Sequence, residues 1–138
     1  MGYIRIAMAK GRLAKQAVKL FRKAGINLPE DMLDSRKLIF SLPDEGLEII
    51  LVKPADVPIY VEYGTADLGI VGKDTLLEEN RDLYEVLDLQ FGKCRFALAG
   101  LPDRKESLLQ RKVATKYPDF TRRHFRSKGE PVEIIKLN

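Results

Sequence analysis

Apolar and polar positions alternate in blocks along the chain, and the period changes from block to block. "YIRIAMA" (3–9) is a short apolar run that predicts a buried strand. A helix follows over about Arg12 to Ala24. There Leu13, Ala17, Leu20, Phe21 and Ala24 fall on one face, and Gly25 is a natural stop. "KLIFSL" (37–42) and "LEIILV" (47–52) are two apolar runs separated by "PDEG", which predicts a hairpin. "DVPIYVEYG" (56–64) predicts a short helix with Asp56 as cap and Pro58 in its first turn. "DLGIV" (67–71) predicts a strand, and "GKDTLLEE" opens another helix with Asp74 as cap. After "YEVLDL" (84–89), "CRFALAG" (94–100) predicts a strand that begins a second unit. That unit continues as strand "KVATKY" (112–117), a helix from Pro118 to about Lys128 closed by Gly129, and strand "VEIIKL" (132–137). The alternation predicts an α/β fold with a mostly parallel sheet, a first lobe over 1–92 and a second over 93–138.

Composition narrows the chemistry. The 138 residues are 45% hydrophobic, ordinary for a packed soluble core. No window approaches the apolar length of a membrane span and no signal-peptide pattern opens the chain, so a cytoplasmic protein is expected. The lone Cys94 and lone His124 give no nitrogen and sulfur metal set, and no protein metal site is expected. Cys94 reads as a small core residue and His124 as a wet surface residue on an arginine-rich helix.

Charge is segregated. Residues 1–25 hold seven Lys/Arg and no acid, 26–92 hold five against fifteen, and 93–138 hold twelve against five. The blocks carry +7, −10 and +7, which suits an anion held between basic flanks, or simply solvated helix faces.

The sharpest local signal is "AKGRL", where the first strand meets its helix with no linker. Backbone N–H groups and the positive end of the helix dipole converge there; Gly11 admits a bulky anion, Lys10 adds a point charge and Arg12 a planar fork. This reads as a phosphate site, although a tight turn between two solvated cations would need the same residues. It is neither the Walker pattern nor the dinucleotide glycine fingerprint. Other candidates sit at similar junctions. Arg36 and Lys37 introduce a strand, Lys53 and Asp56 follow one, and Asp67, Gly69, Gly72 and Asp74 flank another. Arg95 lies at the lobe crossing, facing a cleft or solvent.

Taken in order, "IAMAKGRL", "SRKLIF", "LVKPADVPIYVEYGTADLGIVGKDTLLE" and "RKVATKYPDFTRRHFRSKG" closely resemble the N-terminal part of the ATP phosphoribosyltransferases of histidine biosynthesis, most of all the short forms. The resemblance implies a two-lobed fold like the type II periplasmic binding proteins. It implies transfer of the phosphoribosyl group of phosphoribosyl pyrophosphate to N1 of ATP, with Mg2+ carried by the substrate phosphates. The leaving pyrophosphate gains charge, so Arg12 and Arg36 match the family's catalytic arginines. Lys10, Gly11 and Lys53 would bind substrate phosphates; Asp67, Gly72, Asp74 and Arg95 complete the implied substrate-binding set. A homo-oligomer and a regulatory subunit similar to histidyl-tRNA synthetase are the implied partners. The pattern departs from the family where the chain stops after "VEIIKLN", without the family's glycine- and threonine-containing phosphate loop. An incomplete second lobe and an inactive or weak isolated polypeptide are therefore expected. Two other classes remain open: a non-catalytic nucleotide or phosphate-binding module, and a nucleic-acid binder using "TRRHFRSK", which the acidic middle block opposes.

Overall fold

The computed structural model describes residues 2–102 and 111–138. Their contacts divide into two units, Met1–Cys94 and Arg95–Asn138.

The first unit is built on a four-stranded sheet. Its elements in chain order are β1 (Ile4–Ala9), α1 (Arg12–Lys23), β2 (Ile39–Leu42), β3 (Leu47–Val52), α2 (Asp56–Glu62), β4 (Leu68–Ile70) and α3 (Lys73–Glu79). The strands lie in the order β2-β3-β1-β4. β1 runs parallel to both β3 and β4, with Ile6 opposite Ile49 on one side and Leu68 on the other. β2 is antiparallel to β3, as the hairpin signal predicts, and "PDEG" closes it as one 3-10 turn over Pro43–Glu45 with Gly46 left-handed.

Alternate residues of the strands build a core on each face. Ile6 and Met8 of β1 join Leu47, Ile49 and Leu51 of β3 beneath α1, with Leu28, Met32 and Phe40 completing that cluster. Ala7 and Ala9 point the other way, onto Val57 of α2 and Ala66. The two helices therefore cover opposite faces, the arrangement that buries both sides of a parallel sheet. The buried stripe of α1 is Ala14, Ala17 and Val18, with Phe21 partly buried. Leu20 and Ala24, expected inside, are exposed. The helix is turned so that its smallest side chains face the sheet, which lets the two backbones approach closely.

The second unit pairs β5 (Arg111–Thr115) and β6 (Val132–Lys136) in parallel, joined through α4 (Pro118–Ser127). Phe125 is its buried anchor; Phe96 stacks on Phe120 with centroids 3.8 Å apart and meets Tyr117 edge to face. The strand expected over 94–100 does not form. The segment has no ladder partner among the described residues, and β-propensity without a neighbouring strand leaves its backbone groups unpaired. Cys94, expected in the core, is exposed. No described helix is long and apolar enough to cross a membrane.

Candidate functional site

The chain leaves β1 and moves to β3 on one side, then crosses from β3 to β4 on the other. The strand order thus reverses its direction of growth at β1. In open parallel sheets this switch leaves a crevice at the strands' carboxyl ends.

The residues that meet there follow from the pairing. Lys10 prolongs the β1 ladder, donating its backbone N–H to the Val52 carbonyl at 3.0 Å, which holds Lys10 beside the end of β3 and hence beside Lys53. The chain then turns through Gly11, whose φ of 101° and ψ of −141° lie where a side chain is strained, and enters α1 at Arg12. No side chain caps α1 and no acid lies in its first turn, so the N–H groups of that turn keep their hydrogen-bonding capacity and their positive end. β2 enters from the same edge because it is antiparallel: the Leu51 N–H donates to the Leu38 carbonyl at 2.8 Å. Arg36, two residues earlier, therefore arrives at the carboxyl edge too, although nothing local to "DSRK" reveals it.

Gly72 caps α3 at the end of β4. A Cβ built on it would stand 3.7 Å from Leu13 Cδ1 and 2.3 Å from Asp74 Oδ1, so the starts of α1 and α3 adjoin and a larger residue would disturb Asp74. Gly72 and not Asp74 stands at the cap position of α3, and Ala55 and not Asp56 at that of α2, so both aspartates lie one or two residues inside the first turns of their helices. Lys10, Arg12, Arg36 and Lys53 are exposed, and none of them pairs with an acid among the described residues. Lys37 instead sets its ammonium 5.4 Å from the Phe40 ring.

Two predicted residues fall elsewhere. Asp67 lies at the opposite, amino edge, where its carboxylate accepts the Arg5 backbone N–H at 2.8 Å and its own N–H donates to the Arg5 carbonyl at 2.8 Å. Arg5 and Lys10 are separated by five strand residues, about 16 Å of rise. The structure thus does not bring Asp67 to the row of cations; it joins β4 to β1. Arg5 itself bonds Glu48 at 2.7 Å and the Thr65 carbonyl at 3.3 Å, completing a polar brace on that edge. Arg95 is the first residue of the second unit and is exposed.

One participant escapes local reading. Gly92, legible only as a boundary, has φ of +64°, and a Cβ there would meet Leu13 Cδ2 at 2.5 Å and Gln16 Oε1 at 3.4 Å. It is seated on the turn of α1 that carries Arg12, a contact no sequence spacing announces. Gln16 Oε1 is buried there without a hydrogen-bond partner.

Such an edge can hold phosphates and stabilise charge that develops on a departing polyphosphate. Among the described residues no three His, Cys, Asp or Glu side chains are placed to hold a metal.

Comparison with known proteins gives concordant results. The family model described as HisG, ATP phosphoribosyltransferase, matches residues 53–138. The ATP phosphoribosyltransferase of Bacillus licheniformis is 58% identical over 133 residues, covering 96% of this chain and 62% of its own. That of Halalkalibacterium halodurans is 55% identical over 139 residues, covering 100% and 66%. The structure of an ATP phosphoribosyl transferase (HisG:HisZ) complex from Thermotoga maritima superposes with a TM-score of 0.72 at 27% identity, over 98% of this chain and 64% of the other. The chain thus spans just under two thirds of the length of the curated relatives it matches.

Proposed function

Because the chain belongs to the ATP phosphoribosyltransferase family, we propose that its strand-end edge serves the transfer of a 5-phosphoribosyl group from phosphoribosyl pyrophosphate to N1 of ATP, the opening step of histidine biosynthesis, in the cytoplasm. The observation that carries this reading is the set of four exposed cations, unpaired with any acid among the described residues, along the carboxyl edge of the parallel strands.

In this reaction the adenine N1 lone pair forms a bond to the anomeric carbon as the bond from that carbon to the pyrophosphate oxygen breaks. The 6-amino group of the N1-substituted adenine sheds a proton to solvent, and the electron pair of the broken bond leaves on pyrophosphate. No protein nucleophile is required. Charge moves from the sugar to the leaving group, and fixed positive groups that meet it lower the barrier. Arg12 and Arg36 take that role, each able to grip two phosphate oxygens. Lys10, Lys53 and the backbone at Gly11 bind the remaining substrate phosphates, while Gly72 and Asp74 form the neighbouring wall. Magnesium carried by the substrate phosphates would neutralise part of their charge, the rest being met by these cations. Asp67 is better assigned to strand pairing.

A regulatory subunit and a homo-oligomer complete the proposal. Its support is that the similar Thermotoga maritima structure is a HisG:HisZ complex. A second reading, a nucleotide-binding module without turnover, would use the same strand-end cations.

Calorimetric titration with ATP, and separately with phosphoribosyl pyrophosphate and Mg2+, tests the site. Binding that falls about tenfold or more in Arg12→Ala is expected, the loss of one charge-assisted pair. Equal binding by that variant would remove Arg12 from the site. Binding without phosphoribosyl-ATP formation would select the second reading.

A further inference from the structure

The face of α1 opposite its buried stripe is a row of cations. Lys15, Lys19 and Lys23 are exposed and follow Arg12 at spacings of three, seven and eleven residues, so they stand in one line along the helix. Arg12 ends that line at the carboxyl edge of the sheet. Ala14, Ala17 and Val18 hold the other side of the helix against the strands. None of the three lysines lies within ion-pair distance of an acid among the described residues. Elsewhere in the first unit cations are answered: Arg5 by Glu48, Lys73 by Glu85 and Arg81 by Glu62. The row also runs against the helix's own preferences, since like charges three or four residues apart repel and cations near the amino end oppose the dipole. Acids that could relieve it are not scarce in the chain, for residues 26–92 carry fifteen while 1–25 carry none.

A line of uncompensated charge that leads to an anion site has a use that needs no contact with the bound anion. We propose that Lys15, Lys19 and Lys23 form an electrostatic guide that speeds the arrival of small polyanions, nucleoside triphosphates above all, at the strand-end edge. The step rests on the phosphate reading of that edge. The acid-rich remainder of the unit repels such a ligand, so a positive strip is the approach along which encounter is favoured. Groups that only steer change the association rate, whereas groups that touch the bound ligand change chiefly its dissociation. Along the helix axis Lys15 lies about 5 Å, Lys19 about 10 Å and Lys23 about 17 Å from Arg12. Charges are screened over about 8 Å at physiological ionic strength and about 30 Å near 0.01 M, so Lys15 acts at both and Lys23 in dilute salt alone.

Stopped-flow mixing of the 138-residue chain with the fluorescent nucleotide N-methylanthraniloyl-ATP, followed by displacement with unlabelled ATP, gives both rates. The triple substitution Lys15→Gln, Lys19→Gln and Lys23→Gln should slow association about tenfold near 0.01 M ionic strength and about twofold at physiological salt, with dissociation unchanged. Lys23→Gln alone should show its effect in dilute salt only. Replacing all three lysines by arginine, which keeps the charge, should restore the rate. The triple glutamine variant should unfold at the same or a higher urea concentration, because the repulsion along the helix is relieved. Unchanged association would overturn the inference. So would a slowing that salt does not reduce, or faster dissociation at equal association, which would make the lysines ligands. Arg12→Ala separates this step from the site it serves and should speed dissociation. If it does so while the triple variant associates normally, the guide fails and the site stands. If the triple variant alone is slowed, the guide stands and Arg12 leaves the site. Failure of the unaltered chain to bind the nucleotide would overturn both.

Discussion

Arg12 and Arg5 are both exposed arginines seven residues apart, and their surroundings assign them different work. Arg5 is spent on Glu48 and the Thr65 carbonyl, whereas Arg12 meets no acid among the described residues. Arg5→Ala should therefore lower stability by about 0.5–1 kcal/mol, the range of a partly exposed pair, and leave ATP affinity unchanged. Arg12→Ala should do the reverse; urea unfolding and calorimetry on both variants check the contrast. Gly92→Ala should destabilise by at least about 1 kcal/mol, since a Cβ would strike Leu13 and the backbone is left-handed. Adding Leu13→Ala should recover only the steric share, which a double-mutant cycle of thermal melts would measure. The junction at Lys10–Arg12 is legible in the sequence because strand end, glycine and helix start are contiguous. Gly92 is not, because its meaning lies in a contact with residues far earlier in the chain. Asp67 misleads for a related reason: an aspartate beside a strand serves ligand and backbone equally well until the register is known.

At the scale of elements, period and punctuation predict most of the first unit. The hairpin follows from "PDEG", and the parallel core from apolar runs separated by helices. Two features required the third dimension. The inward face of α1 is rotated onto Ala14, Ala17 and Val18, since the sheet accepts small side chains there in preference to Leu20. Ala17→Leu should thus overpack the interface and cost about 1–3 kcal/mol in urea unfolding, although leucine is an excellent helix former. The strand expected over 94–100 shows the other limit: a strand is a relation between segments, and the composition of one segment cannot supply the second.

The whole molecule is unevenly consolidated. Nearly all of its fully buried side chains belong to the first unit, while the second rests on a two-stranded sheet with Phe125 as its buried anchor. Two strands and one helix face are marginal in water. Amide exchange should therefore be faster in β5 and β6 than in β1 and β3 by an order of magnitude or more, as hydrogen-exchange mass spectrometry would show. The charge blocks are visible in the sequence, but the way an antiparallel β2 brings Arg36 to the end of its parallel neighbours is not.

That gathering of like charge has a consequence for the life of the empty protein. Four cations at one edge, none within ion-pair distance of an acid among the described residues, repel one another, and an anion bound there relieves that repulsion. An anion that binds the folded form alone adds about 2.7 kcal/mol when present at a hundred times its dissociation constant. The melting temperature should accordingly rise more in phosphate or pyrophosphate than in chloride of equal ionic strength, and Arg12→Ala should narrow the difference. An anion held at this edge would therefore also shield the domain from proteolysis, since cleavage tracks the unfolded fraction that the ligand depletes.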